Sequence, residues 1–414
     1  MSATATTPAG AAPAISGAVT REAHDTAEGL VARARALGPV LREYAEQAER
    51  QRRLPRPALE ALADAGLQRL FTPGSLGGLE VDPVTCARVV EEVARFDSAA
   101  AWALQSVNVN SWWASRFSDR AVEEFFGAGP DARIAAAFHP PQQAREVPGG
   151  FRVSGRAPLA STIHDCEWAL FSALVFDDDR PRLTEQGPAL LVFVLPTADV
   201  QIIDTWHSLG MRGTDSNDAA FDGAFVPAHR AALMAPDAEP GRHFRGPLYR
   251  FPAVPIIALF GAAVLLATAR TALDELRELA QRKTPFGAAK PLRERAVAQA
   301  GLAEAEAVLR SARSFFYESL GEAWARTLAG EPHAPEQRAG LMLAGVHAAQ
   351  SSVRVVDAAH RLAGTAGVYA KSRLERCLRD AHTLRHHGFV AEGRLEAVGQ
   401  AYFGLPPDFP LLAF

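Results

Sequence analysis

The spacing of apolar residues changes twice along this chain, and the two changes divide it into three regions. Residues 22–135 are rich in Ala, Leu, Glu and Arg at helical spacing. Residues 136–240 instead contain short apolar runs bounded by Pro, Gly and Asp, such as 189–195 and 221–226, which are typical of strands. The pattern predicts a helical first domain followed by a β-barrel or β-sandwich.

Helical spacing returns in residues 241–414. Apolar residues three or four positions apart predict two long helices. The first carries Leu302, Ala305, Leu309, Ala312, Phe316 and Leu320, and the second carries Leu343, Val346, Val353 and Val356. We therefore expect an α+β fold that ends in a bundle of helices.

Two segments have the composition of targeting or membrane sequences. Residues 1–21 are rich in Ala, Thr, Pro and Gly without a basic start and an apolar run, which predicts a disordered tail rather than a signal peptide. Residues 251–269 approach the ~20 apolar residues that a bilayer requires. Because Pro252, Pro255 and Gly261 interrupt this run, we interpret it as a core helix.

Charge and cysteine content narrow the class of protein. The formal net charge of −4 argues against a nucleic-acid or anionic-membrane partner, because such partners require a concentrated basic surface. Cys86, Cys166 and Cys377 are odd in number and far apart, so they predict neither a disulfide framework nor a Cys-x-x-Cys zinc site. The composition favours an enzyme of the reducing cytoplasm.

Residues 374–388, LERCLRDAHTLRHHG, combine paired charges with three histidines. Their apolar residues have helical spacing, and Gly388 is a natural stop signal for that helix. His382 and His386 have the i, i+4 spacing of a zinc pair, but no carboxylate or cysteine accompanies them at motif spacing. No metal site is predicted.

Together with residues 55–79 and 209–230, this segment resembles the acyl-CoA dehydrogenase superfamily over nearly the whole chain after about residue 22. The resemblance implies an N-terminal helical domain, a middle β domain and a C-terminal four-helix bundle. It also implies a flavin between the last two domains, with part of the site supplied by a neighbouring subunit of a homodimer or homotetramer.

Dehydrogenases of this superfamily usually carry a glutamate base in a Tyr-Glu-Gly-Thr motif after the Arg-Asp-Ala run. Counting from Arg379 and Asp380, the glutamate position is Gly388. Glycine has no group that can accept a proton, and general-base catalysis needs one within hydrogen-bond reach. Ordinary acyl-CoA dehydrogenation is therefore disfavoured, although a desaturase with its base on another helix stays open.

A histidine at the position of His387 is similar to the superfamily's two-component flavin monooxygenases. These enzymes use O2 and reduced FMN or FAD, supplied by a separate NAD(P)H-dependent flavin reductase, and oxidise small substrates through a flavin C4a-hydroperoxide. The match includes residues 153–168, where Ser161 fits the branch's serine. Thr162 stands where the branch has a glycine. His164-Asp165 inverts the branch's usual Asp-His order, which puts a role for His164 in doubt.

The same resemblance implies the flavin site, since no Gly-x-Gly-x-x-Gly opens a helix after a strand to form a Rossmann site. The implied flavin contacts are Ser161, Thr214, Ser216, Arg282, Lys283, Phe286, Gly364 and Thr365. Arg282 or Lys283 would meet a phosphate, because an anionic phosphate pairs with a guanidinium or ammonium group. A nucleophilic role for Ser161 has no support, because no Gly-x-Ser-x-Gly elbow surrounds it.

The predicted catalytic set is His387, Ser161 and Asn110. An imidazole titrates near neutrality and can stabilise the oxygenated flavin or take a proton from a phenol or amine. The structural alternative is that His387 only pairs with the dipole of a helix C-terminus. Many relatives have a histidine matching Asn110, and Asn cannot act as a base at neutral pH, which shifts proton transfer towards His387.

Trp112, Trp113 and His139 are the predicted substrate-pocket residues. The tryptophans could stack on an aromatic or polycyclic substrate, or they could simply fill the core; His139 could be a surface loop residue. Two further functions stay open: an N- or S-oxygenase of an amino sugar or heteroaromatic, and a noncatalytic scaffold that binds no flavin.

Overall fold

The computed structural model describes residues 26–184, 187–234, 238–409 and 412, so the predicted tail at 1–21 lies outside the described residues. The N-terminal region consists of α1 (Ala27–Ala36), α2 (Gly38–Gln51), α3 (Arg56–Asp64), α4 (Pro83–Ala94), α5 (Ser98–Trp113) and α6 (Asp119–Phe125). Side-chain caps begin several of these helices, as when Asp97 accepts a hydrogen bond from the Ala100 N–H at 2.9 Å.

Helix α5 lies in the interior of the protein. Each of its residues from Ser98 to Trp113 is buried, so the helix has no solvent-exposed face. Its small residues Ala99, Ala100, Ala101 and Ala103 let neighbouring elements approach closely, and this explains how one helix can be covered on every side.

The middle region forms one mixed sheet. Its described strands are β1 (Ile134–Val147), β2 (Gly150–Ala160), β3 (Trp168–Asp177), β4 (Arg180–Pro181), β7 (Leu190–Pro196), β8 (Gln201–Ile203), β9 (Asn217–Pro227) and β10 (Ala231–Leu233), with β5 (Leu183–Thr184) and β6 (Gly187–Pro188) as a separate pair. The order is β10-β7-β3-β1-β2-β9-β8, and β1 pairs parallel with β3. The predicted β domain is therefore a mixed sheet whose two edge strands are β10 and β8.

Strands β3 and β7 are buried on both faces. In β7, Phe193 and Leu195 pack into the core of the β domain, while Val192 and Val194 pack into the larger core shared with the helices. Side chains of a strand alternate between its two faces, so a strand covered on both sides must be apolar throughout. This accounts for the uninterrupted run at 189–195.

The C-terminal region is helical again. It contains α7 (Ala253–Arg282), α8 (Ala296–Leu328), α9 (Pro335–Ala363), α10 (Arg373–Leu384) and α11 (Arg394–Tyr402). Among the described helices, α7 alone is long and apolar enough to cross a membrane, and 94% of its most apolar window is buried inside the protein. It occupies the place of a core helix, as the interrupted apolar run at 251–269 predicts.

The turn at 209–212 joins the β domain to α10 by a very close approach. A Cβ placed on Gly210 would lie 2.3 Å from the carbonyl carbon of Arg379. The Gly210 N–H donates to Thr383 Oγ1 at 2.8 Å, and the Met211 N–H donates to Asp380 Oδ1 at 2.6 Å. Two segments that resemble the superfamily therefore pack directly on each other.

We predict that Gly210→Ala destabilises the protein by roughly 3 kcal/mol, because the added methyl group has no space and would force α10 away from the turn. Gly321→Ala is the matched control. Gly321 lies inside α8 with no atom within 4 Å of its Cβ position, so alanine there should stabilise the helix by ~1 kcal/mol. Chemical denaturation of the three proteins tests this, and equal stabilities would contradict it.

Candidate active site

A cavity of about 570 Å³ lies where the three regions meet. One face of α5 forms its inner wall. The residues on that face are Trp102, Gln105, Ser106, Val109 and Asn110, which follow the i, i+3, i+4, i+7, i+8 spacing of a single helical stripe. They are all buried, so this wall is the deep end of the cavity.

The other walls come from the β domain and the C-terminal region. Strand β1 contributes Ala136 to Phe138, and the end of β2 contributes Leu159 and, just beyond it, Ser161. Residues 386–389 follow α10, and Phe409 lies near the end of the chain. About half of the lining residues are apolar or aromatic, and they are interspersed with polar residues such as Gln105, Ser161 and His387. This composition is usual for sites that bind small molecules and cofactors.

His387 does not lie on a helix. Helix α10 ends at Leu384, four residues before the predicted stop at Gly388, and a turn then carries His387 to the cavity. This turn is closed by the His387 N–H, which donates to Leu384 O at 2.9 Å, and by the Val390 N–H, which donates to His387 O at 2.9 Å. The prediction that Gly388 stops the helix was wrong, because the backbone had already left it.

The imidazole of His387 is only partly exposed, and its Nδ1 is fully buried without a hydrogen-bond partner among the described residues. Its ring lies edge-on to Trp102, with 4.7 Å between centroids. Burial lowers the pKa of His387 to about 4. The ring is therefore neutral at pH 7, with one nitrogen available as an acceptor and the other as a donor.

A chain of hydroxyl groups continues from Trp102 into the β domain. Trp102 Nε1 donates to Ser161 Oγ at 2.9 Å, and Ser161 Oγ lies 2.8 Å from Ser216 Oγ. Thr214 Oγ1 lies 2.7 Å from Ser216 Oγ and donates to Met211 O at 2.9 Å. The indole only donates and the carbonyl only accepts, which sets the direction of every hydrogen bond between them. Ser161 therefore donates to Ser216, and Ser161 Oγ can accept one more hydrogen bond from a group in the cavity.

Carboxylates are scarce around the cavity. No glutamate occurs among its described lining residues, and their one acidic side chain, Asp408, is exposed. Gly388, which the count from Arg379 and Asp380 predicts to be the position of the dehydrogenase glutamate, is also exposed. Among the described lining residues, the neutral imidazole of His387 can therefore accept a proton, and no buried carboxylate is present to do so.

The lining residues fit a flavin, because a flavin has both polar and apolar edges and the lining offers both kinds of contact. Gln105 Oε1 and His387 Nδ1 are buried without partners and belong to lining residues, while Ser161 can accept one more hydrogen bond. Buried polar atoms are normally paired, so these atoms favour a ligand with its own polar groups. Phe138 and Phe389 supply apolar surface to the cavity wall.

The remaining implied flavin contacts lie elsewhere. Thr214 and Ser216 are buried behind Ser161 and do not line the cavity. The other five, on the surface around the end of α7 and the end of α9, are Arg282, Lys283, Phe286, Gly364 and Thr365. Lys283 Nζ donates to Ala363 O, and Arg282 pairs with Glu278 at 2.9 Å. In one chain these five residues do not join the cavity, so their role in flavin binding stays a prediction.

The predicted substrate residues Trp112 and Trp113 do not line this cavity. Trp112 is fully buried, and its Nε1 donates to Leu248 O at 3.0 Å. Trp113 packs behind Phe138, with 5.0 Å between ring centroids. Trp112 lies on a different face of α5 from Trp102, whereas Trp113 lies on the same face about three turns further along the helix, outside the cavity lining. A helix buried on every side gives no sequence contrast that would single out Trp102 from these two residues.

Asn110 and His139 line the cavity, and one N–H of Asn110 Nδ2 donates to Ile134 O at 2.7 Å. Their catalytic and substrate-binding roles stay predictions. His386 lines it too, at an exposed position. His164 lies outside the lining, with its Nδ1 2.8 Å from Asp215 Oδ1.

His382 pairs with Asp357 at 2.7 Å. Across residues 26–184, 187–234 and 238–409, no group of three or more His, Cys, Asp or Glu side chains is arranged to hold a metal ion. His382 and His386 therefore have no third ligand in this part of the chain.

Family models match both helical ends of the chain. The model described as acyl-CoA dehydrogenase, N-terminal domain, matches residues 26–124, and the one described as acyl-CoA dehydrogenase, C-terminal domain, matches residues 259–392. Indole-3-acetate monooxygenase of Pseudomonas putida is 31% identical over 87% of this chain and 90% of its own length. The chain belongs to the flavin-dependent monooxygenases of the acyl-CoA dehydrogenase superfamily.

Two further relatives agree with this assignment. The flavin-dependent monooxygenase, oxygenase subunit HsaA, of Rhodococcus jostii is 28% identical over 90% of this chain and 97% of its own. The structure of XiaF from a Streptomyces species, in complex with FADH2 and glycerol, has a TM-score of 0.86 and 26% identity, covering 93% of this chain and 97% of XiaF. The predicted fold, the enzyme class and the use of reduced flavin and O2 are confirmed.

Burial of neutral His387 should make the stability of this monooxygenase depend on pH. The folded-state pKa of about 4 lies below the ordinary value of 6.5, so the unfolded chain binds more protons between these values. Stability should therefore fall as the pH drops from 6.5 towards 4, by up to roughly 3 kcal/mol from this residue.

His387→Gln should remove that part of the acid destabilisation, while His386→Gln, at the exposed neighbouring position, should keep it. Denaturant unfolding of the three proteins between pH 4 and 7 measures the difference. A parallel pH dependence in wild type and His387→Gln would show that the imidazole is not held neutral by burial.

Proposed function

We propose that the chain is the oxygenase component of a two-component monooxygenase that hydroxylates an aromatic substrate in this cavity. The observation that carries the proposal is the neutral, unpartnered imidazole of His387 facing a cavity whose described lining has no buried carboxylate. Reduced flavin, when bound, would supply the chemistry that activates O2. The protein would supply the binding surface and the proton acceptor.

His387 suits proton transfer with a phenol or an aromatic amine. A neutral imidazole can accept the substrate's proton and return it, and it brings no charge into the site before the transfer. While it holds the proton it is a cation, and the anion formed on the deprotonated substrate beside it offsets part of the desolvation cost. Trp102 and Phe389 both contact the ring, at centroid distances of 4.7 and 5.6 Å. The aromatic rings lining the cavity and the indole-3-acetate relative support an aromatic substrate.

A separate NAD(P)H-dependent reductase is part of the proposal. The name of the HsaA relative, an oxygenase subunit, supports a partner that delivers reduced flavin. The chain itself offers no Gly-x-Gly-x-x-Gly nicotinamide-binding sequence between a strand and a helix. FMN and FAD are both candidates for the flavin that this reductase supplies.

Stopped-flow mixing tests the function. The protein, loaded anaerobically with reduced FAD or FMN, is mixed with oxygenated buffer while flavin absorbance is recorded. We expect a long-lived absorbing species distinct from oxidised flavin, because the buried α5 wall at the inner end of the cavity would shield the flavin from water. Immediate appearance of oxidised flavin and hydrogen peroxide would instead indicate an oxidase. Tight binding of oxidised FAD, together with its reduction by an acyl-CoA, would indicate a desaturase.

His387→Ala should leave the affinity for reduced flavin largely intact and lower the product formed per reduced flavin by ~10-fold or more, because the proton acceptor is lost. The difference should appear as hydrogen peroxide. His386→Ala is the matched control, since His386 borders the same cavity at an exposed position. Unchanged coupling in His387→Ala would reject the catalytic role of this imidazole.

We also propose a homodimer or homotetramer in which a second copy completes the flavin site. Support comes from Phe286, whose side chain is fully exposed on the loop after α7, beside the implied flavin contacts Arg282 and Lys283. An exposed phenylalanine in such a place favours contact with another subunit. Phe286→Asp should lower the oligomer mass measured by light scattering; an unchanged mass would argue against this interface.

A cytoplasmic location is proposed from the cysteines. Cys86, Cys166 and Cys377 are free and buried, and burial raises the pKa of Cys166 and Cys377 to about 12. Buried thiols of this kind suit a reducing compartment.

A further inference from the structure

Arg394 is a cation at the edge of the cavity without a matching anion. It is the first residue of α11 and is half-buried, and its Nε is fully buried without a hydrogen-bond partner. No carboxylate of the described residues lies within ion-pair distance of it. An unpaired buried donor on a guanidinium carries a large desolvation cost, which an anionic ligand would offset.

The orientation of Arg394 leaves its donors free. Its guanidinium carbon lies 4.1 Å from the ring centroid of Phe409, so the flat face of the guanidinium is occupied by an aromatic ring. Stacking uses the face of the group and leaves the N–H bonds, which lie in its plane, directed outward. Such a fork matches a carboxylate through two parallel hydrogen bonds.

A row of aromatic rings connects Arg394 with the reactive end of the cavity. His387 lies 5.6 Å from Phe389, and Phe389 lies 6.0 Å from Phe409, between ring centroids. Phe409 in turn carries Arg394 on its face. A ligand that follows this row would have an aromatic ring beside His387 and Phe389 and a polar end beside Arg394.

The acidic side chain nearest in the chain to Phe409 does not satisfy Arg394. Asp408 lines the same cavity but is exposed, and it forms no ion pair with Arg394. Its screening by water makes its interaction with the guanidinium weak. The edge of the cavity therefore keeps a net capacity to bind a negative group.

We propose that Arg394 selects substrates in which the aromatic ring carries a carboxylate on a short side chain. Arg394 is then a specificity-determining residue: it binds the carboxylate while the ring lies against Phe389 beside His387. The inference rests on the proposed function, because it identifies the class of aromatic substrate that the cavity takes.

Equilibrium binding of two matched probes tests the proposal. Indole-3-acetate and indole-3-acetamide have the same ring and nearly the same size but differ in charge. Binding is measured by calorimetry, anaerobically, with the protein saturated with reduced flavin so that no turnover occurs. The wild-type protein should bind the acetate roughly ten- to a hundredfold more tightly than the acetamide, as expected for a charge-assisted bond.

Variants at two positions separate charge from packing. Arg394→Gln should bring the two affinities to within about twofold of each other without weakening the acetamide, and Arg394→Lys should keep part of the preference because it retains a point charge. Asp408→Asn is the matched control: removing the exposed negative charge should leave the preference for the acetate intact or increase it. Thermal unfolding of each variant verifies that it is folded.

The inference is overturned if the wild-type protein binds the acetate no more tightly than the acetamide, or if Arg394→Gln weakens both probes equally. These results are distinguishable from a failure of the proposed function, which depends on the oxygen reaction of the flavin and needs neither probe. A long-lived flavin species together with no charge preference would reject the role of Arg394 alone.

Discussion

The close contact between the turn at 209–212 and helix α10 is the constraint on which the site depends. Because Gly210 has no side chain, its backbone can lie against Arg379, and two backbone N–H groups reach Asp380 and Thr383. Burial raises the pKa of Asp380 to about 7, so its place there has an electrostatic cost that the hydrogen bond from Met211 partly offsets. The same contact holds the β domain against the helix that leads to His387.

Trp102 links the packing of the three regions to the proposed catalytic residue His387. It belongs to α5, it donates to Ser161 of the β domain, and its ring contacts His387 of the C-terminal region. One side chain thus fixes the relative positions of groups from all three regions. Ser161 is held from its other side by Ser216, so the hydroxyl has a defined direction rather than a free rotor.

The environment of the cavity explains why an imidazole suits it better than a carboxylate. A charged carboxylate among Phe138, Phe389 and Trp102 would lose its hydration, whereas a neutral histidine keeps both a donor and an acceptor without that cost. By the count from Arg379 and Asp380, Gly388 is the position where the dehydrogenases carry their glutamate, and the residue before it is a histidine that can accept a proton.

The sequence alone determined the order of helical, β and helical regions and the superfamily, because residue periodicity and short motifs are local properties of the chain. The same motifs led to the prediction that His387 is the proton acceptor. The sequence could not identify Trp102 instead of Trp112 and Trp113 as the cavity tryptophan, since every residue of α5 is buried and polarity varies neither around nor along the helix in a way that marks the cavity. Nor could it associate Arg394 and Phe409 with His387. Only the tertiary structure decided these contacts, because they depend on how separate elements pack, which no spacing along the chain encodes.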